Sequence, residues 1–145
     1  MSEQKKVLAV YGAASSHWVG DRFPVRTIFP TYGVSHLSPF LMLDYAGPAH
    51  FEPSNRPRGV EQHPHRGFET VTIAYHGSVD HGDSAGNSGT INPGDVQWTT
   101  AASGVVHKET HGKDFTARGG DFEMVQLLMN LPAAAKMSKP AYQGI

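Results

Sequence analysis

Apolar residues in this chain come in short bursts, alternating with polar ones and interrupted by glycine or proline. Alternation with period two predicts strands rather than helices. The candidate strands are Arg22 to Phe29, Phe40 to Tyr45, Phe68 to Tyr75, Val96 to Thr100, Val105 to Thr110 and Phe122 to Asn130. No stretch of ten or more residues shows helical periodicity. Ala133 to Met137 could form one short helical turn after Pro132. Three segments read as tight turns: Ser84 to Gly89, Asn92-Pro93-Gly94-Asp95 and Ala102-Ser103-Gly104. In the second, Pro93 fixes one torsion and Gly94 supplies a positive one. Many short strands joined by such turns predict an all-β fold, a small barrel or jelly roll.

The alternation also arranges the chemistry. His63 and His65 flank Pro64, and His107 and Glu109 flank Lys108. Residues two apart on a strand point the same way. Two such strands side by side would bring three imidazoles and a carboxylate to one point, a mixed nitrogen and oxygen site for a transition metal. Read as one run, His63 to Tyr75 puts His63, His65, Glu69, Val71 and Ile73 on one face. If that face points inward, the metal lies at one end of an apolar interior, and Glu69 competes for a ligand role.

Composition narrows the picture. A chain of 145 residues suits one domain, with a net charge of -1 at pH 7. That balance does not predict capture by nucleic acid or an anionic membrane. Arg56, Arg58 and Arg66 read as solvated loop residues. There are no cysteines, which excludes disulfides and thiolate ligands. Only Val7 to Val10 is apolar near the N-terminus, and no run of about 18 apolar residues occurs. The expectation is a soluble cytoplasmic protein. Of the nine histidines, His17, His36, His50, His76, His81 and His111 read as surface or supporting residues. Phe68 and Trp98 are expected in the core, and Asp44 in a capping or turn role. Gln126, Phe51 and Met124 are candidates to line the metal cavity.

At this point a resemblance enters. Gly59, His63-x-His65, Glu69 and Gly77 resemble the first cupin motif, loosely spaced. Pro93-Gly94-Asp95 and Gly104-Val105-Val106-His107 resemble the second. Three longer words are similar to pirin: His63-Pro64-His65-Arg66-Gly67-Phe68-Glu69-Thr70-Val71-Thr72, Asn92 to Trp98, and Ala102 to Glu109. The likeness runs from about Arg26 to Gln143. Pirins are two cupin barrels in tandem with the metal site in the N-terminal one. The resemblance therefore implies that residues 1–145 are a single cupin-type β-barrel, equivalent to the N-terminal half of a bicupin, with the second cupin domain absent.

Carried over by position, the family's iron ligands fall on His63, His65, His107 and Glu109. The general cupin pattern would instead nominate Glu69 as the carboxylate. The implied cofactor is Fe(II), although zinc, copper, nickel, cobalt or manganese suit the same donors. The implied activity is quercetin 2,3-dioxygenase chemistry on a flavonol-like small molecule, with Glu109 or Glu69 taking the proton of the substrate hydroxyl. The alternative from another class is a non-enzymatic, iron-dependent binding or regulatory module acting through protein contacts. The absence of a second barrel further implies a free face and a homodimer that buries it.

Overall fold

The computed structural model describes residues 6–7, 9–12, 15–21, 23–30 and 37–145. Arg22, at the start of one expected strand, and His36 lie outside them. In chain order the strands are β1 (His17–Val19), β2 (Phe23–Phe29), β3 (Phe40–Phe51), β4 (Gly59–His65), β5 (Phe68–His76), β6 (Val79–Asp83), β7 (Ser88–Ile91), β8 (Val96–Thr100), β9 (Val105–His111), β10 (Gly120–Asn130) and β11 (Ala141–Gly144). One six-residue helix, α1 (Lys113–Arg118), lies between β9 and β10, and a 3-10 turn occupies Ala133–Ala135.

The strands form two antiparallel sheets, packed as a sandwich of the cupin kind. Seven are ordered β1-β2-β3-β10-β5-β8-β11, and four are ordered β4-β9-β6-β7. Within the described residues all six expected strand segments are strands; the expected turns at Asn92–Asp95 and Ala102–Gly104 fall between β7 and β8 and between β8 and β9, while Ser84 to Gly89 spans the β6–β7 connection and runs into the first two residues of β7. Gly94 takes φ +97, as its turn requires. Among the described residues no helix is long and apolar enough to cross a membrane.

The expected single run from His63 to Tyr75 is corrected. The chain breaks at Gly67 (φ +78), so β4 belongs to the four-stranded sheet and β5 to the seven-stranded one. The phase flips with it. Thr70, Thr72 and Ala74 are the buried inner residues of β5, and Glu69 leaves the histidine face. The interior near the histidines is thus polar rather than apolar: Thr70, Thr72, Gln97 and Thr99 are all buried there. Trp98 and Phe68, expected in the core, are only half-buried. Trp98 belongs to the other face of the seven-stranded sheet, with Glu69 and Thr100. Asp44 is no turn residue; it sits within β3 and accepts a hydrogen bond from Thr27 Oγ1 at 2.7 Å.

The apolar core fills the far end of the sandwich. Phe23, Phe51, Phe115 and Phe122 surround the ring of His111, with centroids 4.6–5.2 Å from it. His111 is therefore a core residue, contrary to the sequence expectation, and its Nε2 has no hydrogen-bond partner. Burial first, then the nearby Arg58 charge, lowers its pKa to about 4 from an ordinary 6.5. As pH falls, the unfolded chain binds this proton before the folded one does. The stability conferred by the neutral ring is complete above about pH 6.5 and is lost as pH drops toward 4. His111→Phe keeps an aromatic ring among the phenylalanines and removes this proton site. Urea unfolding across that window should show the acid-induced loss of stability reduced by about 2 kcal/mol. An unchanged pH profile would refute the assignment.

Candidate metal centre

Strand β9 is the spine of the site. Its inner face reads Val105, His107, Glu109, His111, all buried, while Val106 and Lys108 face solvent. This alternation follows directly from the period of a strand. Beside it, β4 supplies His63 opposite His107 and His65 opposite Val105. That register depends on an irregularity between Val60 and His63. Val60 pairs Glu109, so an unbroken ladder would set Gln62 opposite His107. The extra residue at Glu61–Gln62 brings His63 there instead, the kind of re-aiming for which bulges are used.

The three imidazoles converge. One ligating nitrogen from each of His63, His65 and His107 lies within 4.8 Å of the others. The His63 and His107 Nε2 atoms stand 2.9 Å apart. The His63 Nδ1 lies 2.8 Å from the Glu61 carbonyl, an acceptor only, so Nδ1 carries the proton and Nε2 presents its lone pair to the cluster. Burial first, then the neighbouring imidazoles, lowers His65 to about 3 and His107 to about 4. Both rings are neutral at pH 7, which is the ligating form. The His65 Nε2 is buried without a partner. A cation would satisfy that nitrogen, and neutral imidazoles are borderline donors that suit transition metals, so these residues fit a transition metal.

Glu109 lies one alternate position along β9 from His107 and is wholly buried. Its Oε1 accepts from Thr72 Oγ1 at 3.3 Å and its Oε2 from Gln126 Nε2 at 3.1 Å. Burial raises its pKa, and the Gln126 hydrogen bond and the His63 ring oppose that rise. Its oxygens are not among the three-nitrogen group. Glu69 is placed away from the cluster, accepting from Thr100 Oγ1 at 2.6 Å. Of the other cavity candidates, Gln126 reaches the site through Glu109, Met124 lines a cavity shared with Glu109, and Phe51 lies in the cluster around His111.

One contributor is absent from the sequence reading, and a second is read there only as a surface or supporting histidine. Thr72 reaches Glu109 because β5 is one step out of phase with β4; the break at Gly67 was the available signal. His81, opposite Glu109 on β6, stacks on Tyr142 with centroids 4.7 Å apart and bonds its hydroxyl at 2.9 Å. Only the tertiary fold brings β11 to it.

Residues 22–129 match the protein-family model described as Pirin. A Pseudomonas aeruginosa protein carrying the provisional name quercetin 2,3-dioxygenase is 62% identical over 143 residues, covering 97% of this chain and 50% of that protein. Human pirin is 39% identical over 146 residues, covering 99% of this chain and 46% of its own length. The crystal structure of a quercetin 2,3-dioxygenase from Acinetobacter baumannii superposes with a TM-score of 0.85 at 55% identity, covering 93% of this chain and 48% of that one. This chain thus spans about half the length of the relatives it matches.

His65→Ala removes one of the three nitrogens and leaves the aromatic core untouched. Calorimetric metal titration should show affinity falling by more than the roughly 100-fold that loss of a ligand's outer partner costs. Circular dichroism should stay unchanged. Undiminished binding would remove His65 from the site.

Proposed function

The chain belongs to the pirin family, and from that premise we propose that it is a single cupin domain carrying the metal centre of a flavonol dioxygenase of the quercetin 2,3-cleaving type, with Fe(II) as its ion and the cytoplasm as its place of action. The observation that carries this reading is the convergence of three imidazoles, His63, His65 and His107, on one point. Zinc, copper, nickel, cobalt and manganese suit the same donors, and raw affinity does not select iron among them. When bound, a ferrous ion supplies Lewis acidity and one-electron redox chemistry.

The chain's own residues do the rest. His63, His65 and His107 hold the ion, and Glu109 is the fourth donor. The positive charge at that point favours the ionised form of Glu109 against its burial. Thr72 and Gln126 each donate to one Glu109 oxygen and so fix the orientation of the carboxylate. Glu109 is also the group assigned to accept the 3-hydroxyl proton of a flavonol, a role that needs the ionised carboxylate to be held in place. Glu69, held by Thr100 on the other face of β5, is assigned a structural part.

A second reading rests on another observation. Outward-facing positions of the seven-stranded sheet carry Leu43, Ile73, Trp98 and Leu127, all half-buried, around the buried Val71. A continuous apolar face of this kind favours a binding module acting through protein contacts, its surface tuned by iron redox state. The partner assigned to it is a second copy of this chain, packed through the same face.

Metal analysis of protein purified without added metal should find stoichiometric iron. Oxygen uptake with quercetin should follow metal loading, vanish in His107→Ala and Glu109→Gln, and survive in Glu69→Gln within a factor of about two. No turnover with any of the six ions sinks the enzyme reading. Sedimentation should give a dimer that Leu127→Lys converts to monomer; a strict monomer at high concentration removes the second copy.

A further inference from the structure

The outer face of the seven-stranded sheet carries a pocket on the side away from the histidine cluster. It opens over β8 and the edge strand β11 and has a volume of about 360 Å³. Glu69, Trp98, Thr100, Ala141, Gln143 and Ile145 line it. Strand pairing explains the grouping. Glu69 stands opposite Thr100, and Thr100 opposite Ala141 on its other side. Two residues along β8, Trp98 stands opposite Gln143. Opposed side chains on one face of a sheet lie about 4.5–5.5 Å apart at Cβ, so a carboxylate, a hydroxyl, an indole and an amide share one patch.

The carboxylate lacks a counter-charge. Glu69 is half-buried, and its one hydrogen bond comes from Thr100 Oγ1, at 2.6 Å to Oε1. Among the described residues nothing bonds Oε2, and no ion pair reaches either oxygen. No Lys, Arg or His lines the pocket. A carboxylate partly withdrawn from water and answered by a single neutral donor favours a cationic partner.

Charge alone does not name the ligand, because water can hydrate the free oxygen. The indole adds the second signal. Trp98 is half-buried beside the carboxylate, and the electron-rich face of an indole attracts cations more strongly than any other aromatic side chain. Ala141 and Ile145 add apolar wall, which suits the alkyl stem of an organic cation. The volume falls in the range of roughly 300–1,000 Å³ that small-molecule pockets occupy, far more than a bare metal ion fills. Between the organic cations, an ammonium is the more strongly hydrated. A guanidinium is planar, stacks on aromatic rings and donates from a fork, so it loses less on entering a half-apolar pocket.

We propose that this pocket binds a small organic cation of the guanidinium class, its plane against the Trp98 indole and its N–H groups donating to Glu69 Oε2 and the Gln143 side-chain carbonyl. The inference rests on neither reading of function above, since Glu69 takes no part in the metal centre.

Ethylguanidinium is the probe, and ethylurea, a neutral molecule of nearly the same shape, is the control. NMR of the isotope-labelled whole chain reports the Trp98 indole N–H directly; Trp18 is the only other tryptophan, so Trp18→Phe assigns the signal. Ethylguanidinium should shift that signal saturably at millimolar concentration, and ethylurea should leave it in place. Glu69→Gln keeps an acceptor for Thr100 and removes the charge, so affinity should fall by about tenfold or more. Trp98→Leu should weaken binding as well, followed at the Gln143 amide. Added salt should weaken binding in the parent chain and have little effect in Glu69→Gln.

Equal shifts from ethylurea, or an affinity unchanged in Glu69→Gln, overturn the proposal, and neither result depends on whether Trp98→Leu folds. An affinity that weakens as protein concentration rises marks a second copy competing for the same face, and supports the pocket. Flavonol turnover is not the readout, so protein without oxygenase activity tests the site equally well.

Discussion

Imidazoles packed against one another inside a protein are held toward the uncharged form, because a proton on any of them must be carried away from water and beside its neighbours. This constraint organises the domain. Burial and mutual repulsion hold His65 and His107 neutral, and the Glu61 carbonyl holds the proton of His63 on the nitrogen that faces away. Within the cluster His63 Nε2 accepts from His107 Nε2, and His65 Nε2 has no partner at all. A cation is the partner that this cluster lacks. The fold supplies the enclosure, and β9 supplies the alignment.

The interior is graded along that strand. At one end His107 meets the two histidines of β4, and at the other His111 sits among phenylalanines. Glu109 lies between, with Thr72 and Gln126 from the opposite sheet closing on its oxygens. The same two sheets thus enclose a polar compartment and an apolar one, with a carboxylate at the boundary. Sandwich folds tolerate this because each sheet buries its inner residues whether they are greasy or hydrogen-bonded, provided the polar ones find partners.

Much of this was legible in the sequence. The strand segments and turns follow from period-two alternation and from Gly and Pro placement, and the His-x-His and His-x-Glu words mark the spines of the site. Three things were not legible. The phase of β5 depends on one left-handed glycine, Gly67, and a single such residue exchanges the two faces of everything after it. That is why Glu69 was read as facing the metal and Thr72 was overlooked. The register of β4 on β9 depends on a bulge, which has no local signature in Glu61-Gln62. The short strands β1, β6, β7 and β11 carry little alternation, and they exist because longer neighbours offer unpaired edges. Tyr142 reaches His81 only through such an edge.

The position of three functions on one strand has an evolutionary corollary. His107, Glu109 and His111 occupy every second place on β9, and their intervening neighbours are Val106, Lys108 and Thr110. Gaining or losing a single amino acid just before His107 would swap the whole set at once, driving the Lys108 ammonium inward and expelling the metal-facing imidazole. Point substitutions can tune this segment one property at a time, whereas its length is frozen. Lineages that diverge from this protein should therefore accumulate insertions at the turns around it and none within it.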